Sequence, residues 1–337
     1  MNTQEARICQ FPQKEHIWAV DVGYGYTKAL SNRGKKVCFP SVISPARDMP
    51  LAELSDDRTG HTVTIHKEGS PDEQFFVGQL AIKEGRSVQF TLDEVKHKHP
   101  VHDVVLLTAI ALLDPEAPGK LVVGLPVDYY REQGKSLTEH LTNLTAVVSV
   151  DGGPKKQISF ENVLVYPQGA GAILVAPDMP PSGIVAVVDV GHKTTDCVAL
   201  ELGNGGSRPV QSMCISVDAG IVHLHQAVAE EFLKLTGIRL PAVYIEQVLR
   251  TGRIWFRGQE IDLSQVIKDK RDGITRSIAD GVLAAWGDRA DFVYKVYLAG
   301  GGVLELPELA SIFPGSSIIP DAQYANAMGF LKFGERC

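Results

Sequence analysis

The segment at residues 21–28, DVGYGYTK, recurs without a gap at residues 189–196, DVGHKTTD. The two copies share Asp, Val and Gly in their first three positions, and a Thr at positions 27 and 195. Each copy lies between an apolar run and a second β-prone run, which predicts a strand, a tight turn and a partner strand. The Rossmann and Walker signatures place a helix after their glycines instead, and neither G-x-G-x-x-G nor G-x-x-x-x-G-K-[ST] occurs in the chain.

The residue types in these two turns suit the binding of phosphate groups. Glycine allows backbone N–H groups to approach phosphate oxygens that a Cβ would keep away, and the turns contain Gly23, Gly25 and Gly191. Hydroxyl and ammonium groups add hydrogen-bond donors and positive charge, and the turns supply Thr27, Thr194, Thr195 and Lys28. The repeat therefore predicts two phosphate-binding turns, one in each half of the chain.

Each turn also begins with a carboxylate, Asp21 or Asp189, at the end of the preceding strand. A bare carboxylate would repel phosphate, so a cation between the two is expected. Magnesium keeps several of its waters and needs only one or two carboxylates. We therefore predict that Asp21 and Asp189 hold a Mg²⁺ ion, mainly through water. The alternative for a single copy is an ordinary Asp-Gly turn, and the second copy in a matching context weighs against it.

Length and composition predict the number of domains and the class of protein. At about 150 residues per domain, 337 residues predict two domains. The chain is 44% hydrophobic and 22% charged, as in globular proteins. Strand and helix patterns alternate in both halves, which predicts an α/β fold.

Charge and cysteine usage exclude several functional classes. The net charge is −7, so there is no basic surplus for direct contact with nucleic acid. The five cysteines are scattered and form no CxxC pair, which is typical of reduced thiols in a cytoplasmic protein. The longest helical apolar run, residues 104–113, is about half of the ~20 residues that span a bilayer. We expect a cytoplasmic protein that does not associate with membranes.

Five further segments carry a resemblance to a known family. They are residues 123–130, VGLPVDYY; 166–172, YPQGAGA; 217–220, VDAG; 299–302, AGGG; and 324–330, YANAMGF. Together with the two turns, they resemble the actin / sugar kinase / heat-shock chaperone ATPase superfamily. Within it, the chain is most similar to the ParM/StbA plasmid-segregation actins and their archaeal actin-like relatives. The resemblance extends from about residue 17 to residue 334.

The resemblance implies a fold and its boundaries. The fold would be the actin-like two-domain fold, with duplicated ribonuclease-H-like sheets flanked by helices and a nucleotide cleft between them. Domain I would comprise residues 15–166, with a small insertion at about 40–95, and would be completed by a C-terminal helix at 322–337. Domain II would comprise residues 167–321, with an insertion at about 222–275.

The resemblance also implies a set of site residues. Gln168 matches the position at which the family uses Gln or Glu, and a side-chain amide can orient the water that attacks a γ-phosphate. Asp189 would be its catalytic neighbour. The remaining nucleotide contacts are expected in the two turns and in the ribose and adenosine loops, at Tyr24, Tyr26, His192, Lys193, Asp218, Gly220, Gly300, Gly301 and Gly302. The family commonly has a second glycine in place of His192 and a small or hydroxyl residue in place of Lys193, so these two side chains would either add positive contacts or weaken binding.

The function implied is an ATPase that polymerises. ATP, or GTP in its place, would bind with Mg²⁺ between the domains and promote head-to-tail filaments, since contacts that do not close on themselves generate helical polymers. A separate DNA-binding adaptor would link the filament to plasmid DNA. Two alternatives stay open: a small-molecule kinase of the same superfamily, with Asp103, Asp128 or Asp151 as its base, and a non-filamentous ATP-gated interaction protein.

Several other polar residues are predicted to have no catalytic or metal-binding role. His97, His99 and His102 have spacings that could serve a metal, but Lys96 and Lys98 would repel a cation, so we expect a solvated loop with Asp103 as the N-cap of the next helix. His223 and His225 lie two apart on a predicted helix and should face different directions. The charged run at 268–271, KDKR, is expected on a solvated face or at the rim of a contact in a polymer, and not in a DNA-binding groove.

Overall fold

The computed structural model describes residues 15–51, 59–66, 69–90, 95, 98–115, 118–203, 206–313 and 315–337. Strands and helices alternate along this part of the chain. The strands are β1 Ile17–Val22, β2 Tyr26–Ser31, β3 Lys36–Pro40, β4 Val42–Pro45, β5 His61–His66, β6 Glu73–Val77, β7 Gln89–Phe90, β8 Gly119–Leu125, β9 Ala146–Val150, β10 Lys156–Ile158, β11 Phe160–Pro167, β12 Gly183–Val190, β13 Thr195–Gly203, β14 Gly206–Pro209, β15 Ile215–Val217, β16 Arg253–Phe256, β17 Gln259–Asp262, β18 Val293–Ala299 and β19 Ser317–Ile318. The helices are α1 Gln79–Glu84, α2 Pro100–Leu112, α3 Val127–Thr142, α4 Ala170–Ile173, α5 Val222–Thr236, α6 Ile245–Thr251, α7 Ser264–Trp286, α8 Leu309–Ile312 and α9 Ala325–Gly334.

Two of the sheets have the same central arrangement. In the first sheet the order is β11-β8-β1-β2-β3, and β1 is parallel to β8 and antiparallel to β2. In the second sheet the order is β14-β13-β12-β18-β19, and β12 is parallel to β18 and antiparallel to β13. The repeat in the sequence thus corresponds to a repeat in topology, with β1 and β12 as equivalent strands.

The two predicted hairpins are confirmed, and they have the same register. In β1–β2, Asp21 lies opposite Lys28. In β12–β13, Asp189 lies opposite Asp196. The turn between the strands is closed by one backbone hydrogen bond in each hairpin, from Gly23 N to Tyr26 O at 3.1 Å and from Gly191 N to Thr194 O at 2.9 Å.

Each repeated sheet has its own hydrophobic core. Helix α2 is apolar almost all round and lies buried against the first sheet, where Leu106 and Ile110 pack in one cluster with Trp18. A helix with this pattern is stable only inside a core. On the second sheet, Ile278 and Trp286 of α7 pack in one cluster with the buried residues of β12 and β18. The cavity described below lies where the two β-hairpin turns meet.

A further sheet is built from the insertion after β3 and from a later hairpin. Its order is β10-β9-β5-β6-β4-β7. Strands β4 to β7 come from the segment predicted as a small insertion. Strands β9 and β10 form a hairpin, as the turn sequence at residues 151–153, DGG, predicts. The insertion therefore extends a sheet that residues far along the chain complete.

The C-terminal helix α9 returns to the first sheet. Phe330 packs with Ile17, Ala19 and Val122 of β1 and β8. Where α9 crosses α4 the two backbones are in contact, because a Cβ at Gly329 would lie 1.8 Å from the carbonyl oxygen of Gly171. This close crossing fixes the two segments that connect the halves of the molecule.

The structure corrects two predicted helix starts. Helix α2 begins at Pro100, and its N-cap is His99, whose Nδ1 accepts a hydrogen bond from Val101 N at 3.3 Å, so Asp103 is not the cap. Proline is favoured at the first helical position because its φ is already suitable and its missing N–H needs no partner there. The sequence also predicts a helix over residues 272–286, but helix α7 begins eight residues earlier, at Ser264. His97 lies outside the described residues.

No helix in the described ranges is long and apolar enough to cross a membrane.

Candidate functional site

The two hairpin turns face each other across a cavity of about 750 Å³. It is lined by both turns, by the segment after β11, by α6, by the loop after β18 and by the start of α9. The sequence-predicted residues that line it are Asp21, Gly23, Tyr24, Gly25, Tyr26, Lys28, Gln168, Asp189, Gly191, His192, Thr194, Gly300, Gly301 and Gly302. Segments that are far apart in the sequence are thus brought to one site.

Two threonines predicted to donate to phosphate do not line the cavity. Thr27 and Thr195 are both fully buried. Thr27 Oγ1 shares a hydrogen bond with Ser41 Oγ at 2.8 Å, and Thr195 Oγ1 donates to Ala219 O at 2.7 Å. Because side chains alternate along a strand, these hydroxyls point away from the cavity that their neighbours line. In this structure they hold each hairpin to the segment beside it, which corrects the expectation.

Three other predicted residues lie next to the cavity wall and not on it. Gly220 backs the second turn, since a Cβ there would lie 2.6 Å from the carbonyl oxygen of His192. That carbonyl also accepts a hydrogen bond from Val222 N at 2.7 Å, at the start of α5. Asp218 is exposed beside this segment. Lys193 Nζ lies 5.2 Å from the centre of the Tyr24 ring, so it joins the second turn to the first through a cation–π contact.

In the first turn, the carboxylate is neutralised from within the hairpin. Asp21 is only 3% exposed. Lys28 Nζ lies 2.6 Å from its Oδ2, and Gln168 Nε2 donates to its Oδ1 at 2.6 Å. Burial acts to lower the pKa of Lys28, but the charge and hydrogen bond of Asp21 outweigh burial and leave that pKa above its usual value. The first turn is therefore a closed ion pair with an amide attached.

In the second turn, the carboxylate has no cation of its own. Asp189 is 7% exposed, and its hairpin partner is a second carboxylate, Asp196. Burial, together with the negative charge of Asp21, raises the pKa of Asp189 to about 6, although Asn326 and Lys28 act in the opposite direction. Asn326 Nδ2 donates to Asp189 Oδ2 at 2.6 Å. Asp189 is thus a buried acid whose ionised form a cation would stabilise.

The same asparagine links Asp189 to the segment that carries Gln168. Asn326 Oδ1 accepts a hydrogen bond from Gly169 N at 2.9 Å. Asn326 was expected only as part of a connecting helix, because a single Asn in a helical run gives no sign of its long-range partners. Its amide holds the second carboxylate and the Gln168 segment in a fixed relation.

Glycine is required at two places by close approach. A Cβ at Gly300, whose φ is +85°, would lie 2.3 Å from Asp189 Oδ1. A Cβ at Gly25 would lie 2.8 Å from the Cβ and Cγ of His192. The loop after β18 therefore closes on the second carboxylate, and the His192 side chain fills the space beside the first turn.

His192 pairs with His225 of α5, with ring centres 5.1 Å apart in an edge-to-face arrangement. Burial lowers the pKa of both imidazoles to about 4, so both are neutral at pH 7 in this state. At pH 7 the His192 ring therefore carries no positive charge, and it fills space beside the first turn. His225 also lines the cavity.

Polar residues at the other end of the cavity were not identified from the sequence. The Tyr26 hydroxyl donates to the Glu246 carboxylate of α6, which joins the two halves across the cavity. Arg271 Nη2 donates a hydrogen bond to Glu305 Oε2 at 2.8 Å, and both residues line the cavity. The charged run at 268–271 therefore does not lie wholly on a solvated face. These residues belong to no motif, and only the fold brings them together. Gln247 and Arg250 of α6 complete this end.

The arrangement suits an elongated anionic ligand and a divalent cation. A volume of about 750 Å³ lies in the range of small-molecule sites. One end offers two turns with backbone N–H groups, the Lys28 ammonium and the Gln168 amide, and the other has apolar walls from Val243, Leu249 and Leu304. Two buried carboxylates with only one ammonium between them form a donor set that fits a hydrated Mg²⁺ ion.

Comparisons with family models agree with this architecture. A model described as "Actin like proteins N terminal domain" matches residues 19–171. A second, described as "Archaeal actin homologue MreB-like, C-terminal", matches residues 187–311. The first match contains the first hairpin and Gln168, and the second contains the second hairpin and the loop at 300–302.

Relatives and solved structures agree as well. An archaeal actin homolog of Thermoplasma acidophilum is 24% identical over 336 residues, which cover 95% of this chain and 99% of that protein. A ParM from Clostridium botulinum, solved as a 15-stranded filament, superposes with a TM-score of 0.88 at 27% identity, over 96% of this chain and 100% of that one. An archaeal actin homolog in complex with ADP superposes with a TM-score of 0.78 at 21% identity, over 95% of this chain and 99% of that one.

Proposed function

The chain belongs to the actin-like proteins, a family of filament-forming ATPases that includes ParM and the archaeal actin homologs, and we propose that it hydrolyses ATP bound with Mg²⁺ in the cleft between its two hairpin turns. The observation that carries the proposal is the pairing of the turns. Two hairpins of identical register meet at one cavity, and only one of their carboxylates is neutralised by the protein. Asp189, the carboxylate that is not neutralised, can therefore bind a cation, and a polyphosphate binds together with a cation.

In the proposed complex, backbone N–H groups of the two turns and the Lys28 ammonium bind the phosphates. Asp21 and Asp189 hold the Mg²⁺ ion, which, when bound, neutralises charge on the phosphate oxygens. The Gln168 amide is already fixed by its hydrogen bond to Asp21 and is the group placed to orient the attacking water. Asn326 keeps Asp189 in position.

The nucleoside would occupy the other end of the cavity, between α6 and the loop after β18. Val243, Leu249 and Leu304 offer apolar contacts to a base, and Arg271 with Glu305 offers polar ones. The archaeal homolog solved with ADP supports a nucleotide in this fold. We propose ATP as the nucleotide, with GTP as the alternative that the sequence leaves open.

We further propose that nucleotide binding promotes head-to-tail assembly into filaments in the cytoplasm. The ParM filament from Clostridium botulinum supports this, since it is similar over nearly the whole of both chains. A role in plasmid or other DNA segregation would then need a separate DNA-binding adaptor, because the net charge of −7 does not favour direct contact with DNA. Hydrolysis would loosen the contacts between subunits.

The proposed domain division follows the two repeated sheets. Residues 15–166 and 322–337 would form domain I, and residues 167–321 would form domain II, with insertions at about 40–95 and 222–275. The packing of Phe330 against β1 and β8 supports the return of the C-terminal helix to domain I.

A small-molecule kinase of the same superfamily is less well supported. Its candidate bases were Asp103, Asp128 and Asp151, and the cavity is lined by other residues. Asp103 and Asp151 instead accept hydrogen bonds from histidines, and Asp128 lies in the first turn of α3. None of these three carboxylates faces the proposed phosphate site.

The Gln168→Ala variant tests the hydrolytic step. We expect ATP turnover to fall on the order of 100-fold, because misplacement of a reacting group can cost about that much in rate. Affinity for a fluorescent ATP analogue should stay within about twofold. Gln157→Ala on the exposed face of β10 makes the same chemical change outside the cavity and should leave both values unchanged. An equal loss of binding and turnover in Gln168→Ala would overturn its proposed role.

A further inference from the structure

A cluster of two imidazoles and one carboxylate lies outside the nucleotide cleft. His102 and Asp103 are in the first turns of α2, and His140 is in the last turn of α3, 37 positions after Asp103. None of the three lines the cavity between the hairpins. The fold therefore brings a distant histidine to the segment whose local spacing alone did not support a metal site.

The side chains are already arranged as metal ligands. His102 Nδ1 lies 3.1 Å from Asp103 Oδ1, and His140 Nε2 lies 2.9 Å from the same oxygen. All three potential ligand atoms lie within 4.8 Å of one another. In a tetrahedral zinc site with bonds of about 2.0–2.1 Å, neighbouring ligand atoms are roughly 3.3 Å apart. The two spacings to Asp103 Oδ1 would need to open by only a few tenths of an ångström.

One ligand of the cluster is buried, and the other two are partly exposed to solvent. His102 is 3% exposed and is held inside the fold, whereas the side chains of Asp103 and His140 are 23% and 33% exposed. An ion can therefore approach from solvent, and a water molecule can complete its coordination. Three protein ligands plus water is a common zinc arrangement.

The donor set selects the class of ion. Imidazole nitrogen suits zinc and neighbouring transition metals, whereas magnesium and calcium prefer oxygen ligands. Two nitrogens and one oxygen therefore favour Zn²⁺ over the Mg²⁺ expected in the cleft. The two proposed ions would not compete for one site.

We propose that His102, Asp103 and His140 bind a Zn²⁺ ion that joins the start of α2 to the end of α3. On binding, the hydrogen bonds from the two imidazoles to Asp103 are replaced by bonds to the metal. Each ring must then present a lone pair on its ligating nitrogen. A neutral ring does so by moving its single proton to the other nitrogen through solvent, and a protonated ring by releasing one proton to solvent, so that each bound imidazole is neutral. The proposal does not depend on the nucleotide function.

The test is a titration of the full chain with zinc chloride in the absence of nucleotide, followed by calorimetry and by a thermal melt. The wild type should bind one zinc ion that His140→Ala and Asp103→Asn lose or bind at least tenfold more weakly. Zinc should raise the melting temperature of the wild type but not of these two variants. Cobalt, as a spectroscopic probe, should give tetrahedral absorption bands in the wild type that both variants lack. Asp103→Asn retains the shape of the side chain and serves if His140→Ala folds poorly.

His61→Ala is the matched control, since His61 Nδ1 contacts Asp151 Oδ2 at 2.9 Å in a pair with only two ligand groups. It should bind zinc as the wild type does. If the His192–His225 pair binds zinc, that binding would also occur in His140→Ala. The two sites can therefore be distinguished. Equal affinity for zinc in the wild type, His140→Ala and Asp103→Asn would overturn the proposal and leave the cluster as a hydrogen-bonded network only.

Discussion

The two hairpin turns have the same backbone and opposite electrostatics. Both begin with an aspartate at a strand end, both close with one backbone hydrogen bond, and both bury a threonine hydroxyl on the far side. They differ at the position opposite the aspartate, which is Lys28 in the first hairpin and Asp196 in the second. One turn therefore carries its own counter-ion, and the other does not.

The difference gives the two carboxylates separate roles, the first in folding stability and the second in binding a cation. Asp21 forms an internal ion pair, so its charge is stable in the empty protein. Asp189 is buried and its pKa is raised to about 6, so its charge destabilises the empty protein at pH 7 and would be stabilised by a cation. A duplicated element has thus kept one copy for stability and left the other dependent on the proposed Mg²⁺–nucleotide complex. Substitutions of the two aspartates should reveal this in opposite directions.

The largest expected effect is the loss of stability in Asp21→Ala. Lys28 would stay buried without its partner, and breaking a buried pair in this way costs about 3–5 kcal/mol. Urea denaturation of the empty protein measures the change. Glu139→Ala, which removes an exposed i,i+4 partner of Lys135, is the control and should cost about 0.5 kcal/mol or less. Similar small losses for both variants would show that the first turn is not a closed ion pair.

Asp189→Asn should have the opposite sign. The pKa of Asp189 is raised by burial to about 6, from an ordinary value of 3.8, so its ionisation at pH 7 costs at most about 3 kcal/mol in the empty protein. The neutral amide avoids that cost while keeping an acceptor for Asn326. We therefore expect a more stable empty protein at pH 7 that binds Mg²⁺–ATP poorly.

The pH dependence checks the cause. Because the folded pKa is above the unfolded value, the stability that comes from protonated Asp189 is complete below about pH 4 and is lost as the pH rises through about 6. The advantage of Asp189→Asn over the wild type should therefore grow between pH 4 and 6 and stay constant above that. An advantage that is already full at pH 4 would contradict an ionisation effect.

The smallest expected effect concerns the contact between the turns. Tyr24→Leu removes the ring beneath Lys193 and should reduce stability by about 0.5–1 kcal/mol. Tyr294→Leu replaces an exposed tyrosine outside the cavity and is the comparison. If the contact helps to hold the turns together, only Tyr24→Leu should also weaken nucleotide binding, by a few-fold. Equal changes in stability and in nucleotide binding for the two variants would show that this contact does not hold the turns together.

The hairpins, the α/β class and half of the cavity-lining residues were predictable because their signals are local or repeated. A glycine turn between two apolar runs is visible in a short window, and its second copy confirms the first. The direction of the Thr27 and Thr195 hydroxyls was not predictable, since it depends on which strand face is buried. Asn326 and His140 were missed because their partners lie far away in the sequence, and only tertiary packing brings a lone amide or imidazole to its site.

Sedimentation of the purified chain with ATP and Mg²⁺ tests the central claim most directly, namely that a nucleotide bound between the two turns controls assembly. The wild type should pellet above a critical protein concentration when Mg²⁺–ATP is present, and should stay in the supernatant when magnesium is chelated. Asp189→Asn, although stably folded, should not pellet under the same conditions. A wild type that hydrolyses ATP and yet stays in the supernatant across micromolar concentrations would contradict nucleotide-controlled assembly.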